Sequence, residues 1–108
     1  MGNMYKLTLS VSEMLALSEA LDETAAYMQE QRNNNLLSKE DLLLLAVLEE
    51  MNMHFALKAY RRQNKYQLSL KPCWAVALDL QFNGFTDKSS YQGNLVQGIC
   101  NKLQLQPA

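Results

Sequence analysis

Apolar and polar residues alternate strictly over Tyr5-Lys6-Leu7-Thr8-Leu9, the period-two signature of a strand with one buried face. At Ser10 the period lengthens. Met14, Leu17, Leu21 and Met28 recur at helical spacing, while Glu13, Glu19, Asp22, Glu23 and Glu30 fall largely elsewhere. Ser10-Val11-Ser12-Glu13 is a capping box that opens this helix, and Leu9 with Met14 has the spacing of a hydrophobic staple. Asn33-Asn34-Asn35 ends it, because asparagine tolerates the left-handed conformation and competes for backbone hydrogen bonds.

The same device returns at Ser38-Lys39-Glu40-Asp41, with Leu37 and Leu42 at staple positions. The helix opened there is expected to run to about Asn64. Leu42 to Leu48 is apolar on every side, which predicts a long central helix with this half fully buried. The second half is amphipathic. Glu50, His54, Lys58 and Arg62 are four apart and form one polar stripe, with Arg61 beside it.

Tyr66-Gln67-Leu68-Ser69-Leu70 predicts a second strand and echoes the first. The seventeen residues from Tyr5 align without a gap on those from Tyr66, so that Tyr, Leu, Leu, Ala and Leu coincide and Thr8 matches Ser69. Residues 73–82 carry two signals. Trp74, Val76, Leu78, Leu80 and Phe82 alternate as in a strand, whereas Ala75, Ala77, Pro72 at a helix start and the echo favour a helix. We take the helix. Asn83-Gly84 closes it, Asp87 to Ser90 reads as a polar loop, and a last helix is expected over Tyr91 to Leu103 despite Gly93 and Gly98. The expected fold is α+β and mainly helical, ordered β-α-α-β-α-α, with two short strands, a buried long central helix and an internal pseudo-repeat. No linker or low-complexity tract divides it, so residues 1–108 read as a single domain.

Composition narrows the function classes. At 108 residues, 48% hydrophobic and 19% charged, the chain is an ordinary folded domain and not a disordered one. A net charge of −1 argues against a polycation built to coat nucleic acid. Two cysteines and one histidine cannot supply the four ligands of a structural zinc site, so no metal or cofactor is expected. Met1 to Ser10 lacks the basic start and apolar stretch of a secretory signal, and Lys6 stands where a myristoylation motif wants Ser or Thr. The longest apolar run, Leu42 to Leu48, falls far short of a bilayer span. The expectation is a soluble cytoplasmic protein, no membrane partner, and Cys73 and Cys100 as reduced thiols.

Few residues invite chemistry. His54 lies between Glu50 and Lys58 on the polar stripe, where the plain reading is a solvated imidazole in an i, i+4 ladder. Cys73 would sit in the first turn of a helix, where the dipole lowers a thiol pKa, and with His54 it would make a Cys–His nucleophile. Against that, no local signature supports the pairing, and a free cysteine usually packs as a small hydrophobe, as Cys100 does by its position. Glu40 with Asp41, and Glu49 with Glu50, are adjacent pairs that diverge on a helix and suit solvated faces. Four scattered glycines make no phosphate loop. No catalytic residue is therefore expected.

Lys58, Arg61, Arg62 and Lys65, interleaved with Tyr60 and Tyr66, form the one cluster that points to nucleic acid or a partner. Its plain reading is a set of cations complementing a helix C-terminus, with Tyr60 on an apolar face beside Ala56. Charge is also divided along the chain. Residues 1–50 hold nine acidic and three basic side chains, and residues 51–108 hold two and seven. Two short strands leave sheet edges unpaired, and the two halves are oppositely charged, so a two-fold homodimer would pair the edges and match the charges. The function expected is a small non-enzymatic interaction or structural module that associates with itself, the alternative being a nucleic-acid-associated regulator using the basic cluster.

Overall fold

The computed structural model describes residues 4–84 and 89–104. β1 (Tyr5–Ser10) leads into α1 (Val11–Asn33), α2 (Lys39–Tyr60), β2 (Lys65–Leu70), α3 (Pro72–Phe82) and α4 (Tyr91–Gln104). This is the mainly helical β-α-α-β-α-α order that the hydrophobic pattern predicts, and the ambiguous segment 73–82 is helical. Asp87 and Lys88 of the expected loop lie outside the described residues.

Local chemistry accounts for the boundaries. The Ser10 hydroxyl accepts from the Glu13 amide at 3.1 Å while the Glu13 carboxylate accepts from the Ser10 amide at 3.0 Å, closing the capping box. Ser38 repeats the first half of this arrangement, its hydroxyl accepting from the Asp41 amide at 3.1 Å. Pro72 occupies the first turn of α3, where a missing N–H costs nothing. At the end of α1 the chain makes a Schellman turn. Asn35 adopts φ 58°, its amide donates to the Arg32 carbonyl at 3.0 Å, and the Leu36 amide donates to Gln31 at 2.9 Å.

β1 and β2 pair antiparallel, with Tyr5 opposite Leu70, Leu7 opposite Leu68 and Leu9 opposite Tyr66. Alternation along each strand puts Leu7, Leu9, Tyr66, Leu68 and Leu70 on a buried face and Lys6, Thr8, Gln67 and Ser69 on an exposed one. The register fits the sequence echo. Exchanging the two copies turns the Tyr5–Leu70 pair into the Tyr66–Leu9 pair and returns the Leu7–Leu68 pair to itself. The echo extends into the helices, since α1 and α3 start at equivalent positions and bury Ala16 and Leu17 as Ala77 and Leu78. The copies are unequal, however: α1 and α2 have 23 and 22 residues, α3 and α4 have 11 and 14.

Around the sheet, α1 packs on α2 and α4, and α3 packs on the same two helices. The core they share is apolar throughout, with Met14, Leu17 and Leu21 of α1, Leu45, Leu48, Met51 and Phe55 of α2, Leu78 of α3 and Ile99 of α4 all buried.

Two expectations about α2 are corrected. It ends at Tyr60 rather than about Asn64, because Arg61 turns extended (φ −83°, ψ 115°) and the chain must reverse to begin β2 at Lys65. It is also not fully buried over Leu42 to Leu48. Only Leu45 and Leu48 of this run are buried, while Leu42 and Leu43 are exposed and Leu44 and Val47 are half-buried. A helix against one layer of neighbours offers the core a single stripe, and here that stripe is Leu45, Leu48, Met51 and Phe55.

The left-handed residue between α1 and α2 gives a direct test. Asn35→Val should destabilise the fold by about 1–2 kcal/mol, since a β-branched residue resists positive φ. Asn35→Gly should stay within about 0.5 kcal/mol of the parent. Urea denaturation of the three proteins reads the difference.

Candidate functional site

The side of α2 that turns away from the core is largely apolar. Leu43, Ala46, Glu50, Met53, Leu57 and Tyr60 follow one another at spacings of three and four, and every one of them is exposed. Leu43, Met53 and Leu57 are 69%, 70% and 71% exposed, and Tyr60 is 89% exposed. Beside the N-terminal half of this stripe runs α3. Leu43, Leu44 and Val47 of α2 and Val76, Ala77 and Leu80 of α3 line a groove of about 440 Å³, to which Glu40 and Cys73 also contribute. Such a surface offers a ligand mainly apolar contacts and shape.

Midway along the stripe a polar joint fastens α2 to the start of α3. The Glu50 carboxylate accepts from the Lys71 ammonium at 3.0 Å and from the Trp74 indole N–H at 3.1 Å. The Lys71 ammonium also lies 5.1 Å from the Trp74 ring centroid, within cation–π range. The hydrogen bond from Lys71, then that from Trp74, hold the Glu50 carboxyl below its ordinary value of 4.5. His54 packs against this joint, its ring tilted and with its centroid 5.1 Å from Trp74, and edge-on to Phe55 at 6.0 Å. The expected i, i+4 ladder is therefore replaced. Glu50 turns to Lys71 and Trp74, and Lys58 turns to β2.

The basic cluster gathers at the far end of α2. Lys58, Arg61 and Lys65 line a cleft of about 540 Å³ together with His54, Leu57, Gln63, Tyr66 and Gln67. Arg62 is exposed but is not part of that lining. Within the cleft the Lys58 ammonium donates to the Gln67 carbonyl at 3.0 Å, and the Tyr66 hydroxyl donates to the Arg61 carbonyl at 3.1 Å. Tyr66 is buried, so it offers no stacking face, whereas Tyr60 does. Tyr60 and Ala56, read as sharing an apolar face, are both exposed.

The thiols separate cleanly. Cys73 is exposed in the first turn of α3 and lines the α2–α3 groove, while His54 lines other clefts. The two are not brought together as a nucleophile and base. Cys100 is buried, its Sγ 3.8 Å from the Leu78 carbonyl; burial, then the nearby Asp79 charge, push its pKa up to about 11. Among the described residues no group of three or more His, Cys, Asp and Glu is placed to hold a metal ion, and no helix is long and apolar enough to cross a membrane.

No family model matches this chain, and neither a curated protein nor a solved structure matches it. The basic cluster is visible in the sequence, but the outward stripe of α2 is not singled out there. Its signal is a second three-four repeat, Leu43 to Tyr60, running beside the core repeat Leu45 to Phe55.

Two measurements probe these environments. Iodoacetamide at pH 8 should label Cys73 in the native protein and leave Cys100 unmodified until denaturant is added, as peptide mass mapping reads. Glu50→Gln should remove part of the acid sensitivity of the fold. A carboxyl whose folded pKa is depressed adds stability above its unfolded value and loses it as pH falls through the folded one. The parent should thus melt higher than the variant at pH 7, and the two melting curves should converge as the pH drops below the ordinary carboxylate value of 4.5.

Proposed function

We propose that this chain is a small non-enzymatic protein-interaction module of the cytoplasm, with a second copy of itself among its partners. One observation carries the reading: α2 and α3 turn large aliphatic side chains to solvent on both walls of one groove, Leu43 on one side and Val76 and Leu80 on the other. Single exposed apolar residues are ordinary, but a contiguous set at helical spacing suits a partner surface. Support also comes from what the polar groups do. Glu50, Lys71, Trp74 and Lys58 are engaged in joining elements, which is structural work.

The basic cleft favours a second reading, a nucleic-acid contact through Lys58, Arg61 and Lys65 with Arg62 alongside and Tyr60 available to stack. Both readings are open to one set of variants. The native protein should retain partners from a lysate of its source that Val76→Glu/Leu80→Glu does not, with circular dichroism of the variant unchanged. If parent and variant retain the same proteins, the groove reading fails. Salt-dependent retention on heparin, lost in Arg61→Ala/Arg62→Ala, would move the assignment to nucleic acid.

A further inference from the structure

We infer that the outward stripe of α2 is a self-docking seam, on which a second copy of this chain packs its own α2 antiparallel about a two-fold axis. The inference rests on the self-association part of the reading above and adds the surface, the register and the charge pairs.

The stripe has the form that a helix–helix seam requires. Leu43, Ala46, Glu50, Met53, Leu57 and Tyr60 alternate spacings of three and four, the heptad positions that face a partner in a two-stranded coiled coil. The opposite side of the same helix is committed to the core through Leu45, Leu48, Met51 and Phe55. From Leu43 to Tyr60 the seam is roughly 26 Å long at 1.5 Å per residue. That is more than four turns of helix with every seam position exposed.

Charge decides the direction. The first turn of α2 carries Glu40 and Asp41, and its last turn and cap carry Lys58 and Arg61. A parallel pair would set acid on acid and base on base, whereas an antiparallel pair sets each acidic end on the basic end of the other copy. Antiparallel packing also opposes the helix dipoles favourably.

A two-fold axis at the middle of the stripe then fixes the layers. Leu43 meets Tyr60 of the second copy, Ala46 meets Leu57, and Glu50 meets Met53, so the smallest residue of the seam faces a large one. Glu50 therefore faces a thioether rather than its own equivalent, with its charge already met by Lys71 and Trp74. At the flanks Glu40 falls beside Arg61 of the second copy, and this pair occurs twice. Lys39, the one cation of the first turn, falls opposite Asn64, past the end of the helix.

The test is sedimentation equilibrium of the full chain across the micromolar range, at low and moderate salt. The parent should sediment as a dimer, and Leu57→Glu should sediment as a 12.3 kDa monomer with its helical circular dichroism retained. Arg61→Glu should weaken the dimer about tenfold by setting like charges together twice, and adding Glu40→Arg in the same chain should restore it. A dimer that survives Leu57→Glu overturns the seam and leaves self-association standing. A charge reversal that is not rescued overturns the antiparallel register. A parent that stays monomeric overturns seam and self-association together, and the lysate comparison with Val76→Glu/Leu80→Glu still decides whether other proteins bind.

Discussion

The structure depends on joining two strands that the whole α1–α2 hairpin separates in sequence. A two-stranded sheet is marginal on its own, so the pairing of β1 with β2 holds only while helices cover its apolar face. Leu7, Leu9, Leu68 and Leu70 stand on that face, nearly inaccessible to solvent. At roughly 1.5–3 kcal/mol for each large side chain buried, these four outweigh any surface ion pair in the molecule. A slip of one residue would turn one strand's pair outward, Leu7 with Leu9 or Leu68 with Leu70. The antiparallel register of two matching strands is also what relates the two halves, because each copy of the repeat sends its helices back onto a common face.

Polar contacts tune this arrangement rather than hold it. Lys102 at the end of α4 reaches Glu13 at the start of α1 at 2.8 Å, and Glu49 of α2 accepts from Gln29 of α1 at 2.7 Å. Gln97 of α4 donates to Asn83 at 2.7 Å and accepts from the Gly84 amide at 2.9 Å, so α4 caps the end of α3. Gly84 takes φ 80° there, a conformation that suits a residue without a Cβ. Each contact joins elements that are distant in sequence or ends a helix at a defined place. Exposed or part-buried, each is worth about 1 kcal/mol. Their value is to set relative positions, as the Glu50–Lys71–Trp74 joint sets where α3 begins against α2.

The inequality of the two copies shapes the surface. In the first copy two long helices form a hairpin, and in the second two short ones follow. α3, with 11 residues, covers one flank of a 22-residue helix and leaves the side away from the core open. The candidate interaction surface runs along that open side and the flank that α3 borders. It brings Cys73, Val76 and Leu80 beside Leu43 and Val47, although no local feature of the sequence connects the two segments.

What the sequence determined by itself is the local and the periodic. Ser10 with Glu13 starts one helix, Ser38 starts the next, and Asn35 ends the turn between them, because caps and left-handed residues act over a few positions. The strands follow from strict alternation, and the echo from Tyr5 to Tyr66 resolves 73–82 as a helix against a contrary alternation of its own. The basic cluster was equally legible, as adjacent charges at a helix end. Tertiary structure alone decided which side of Leu42 to Leu48 faces inward. A run that is apolar all round contains every choice of face, and only the positions of α1 and α3 select the stripe through Leu45 and Leu48. The same selection separated Cys73 from His54, buried Tyr66 while exposing Tyr60, and drew Glu50 and Lys58 away from the ladder that their spacing suggests. Helical periodicity says which side chains share a face; only packing against elements distant in sequence says which face meets water.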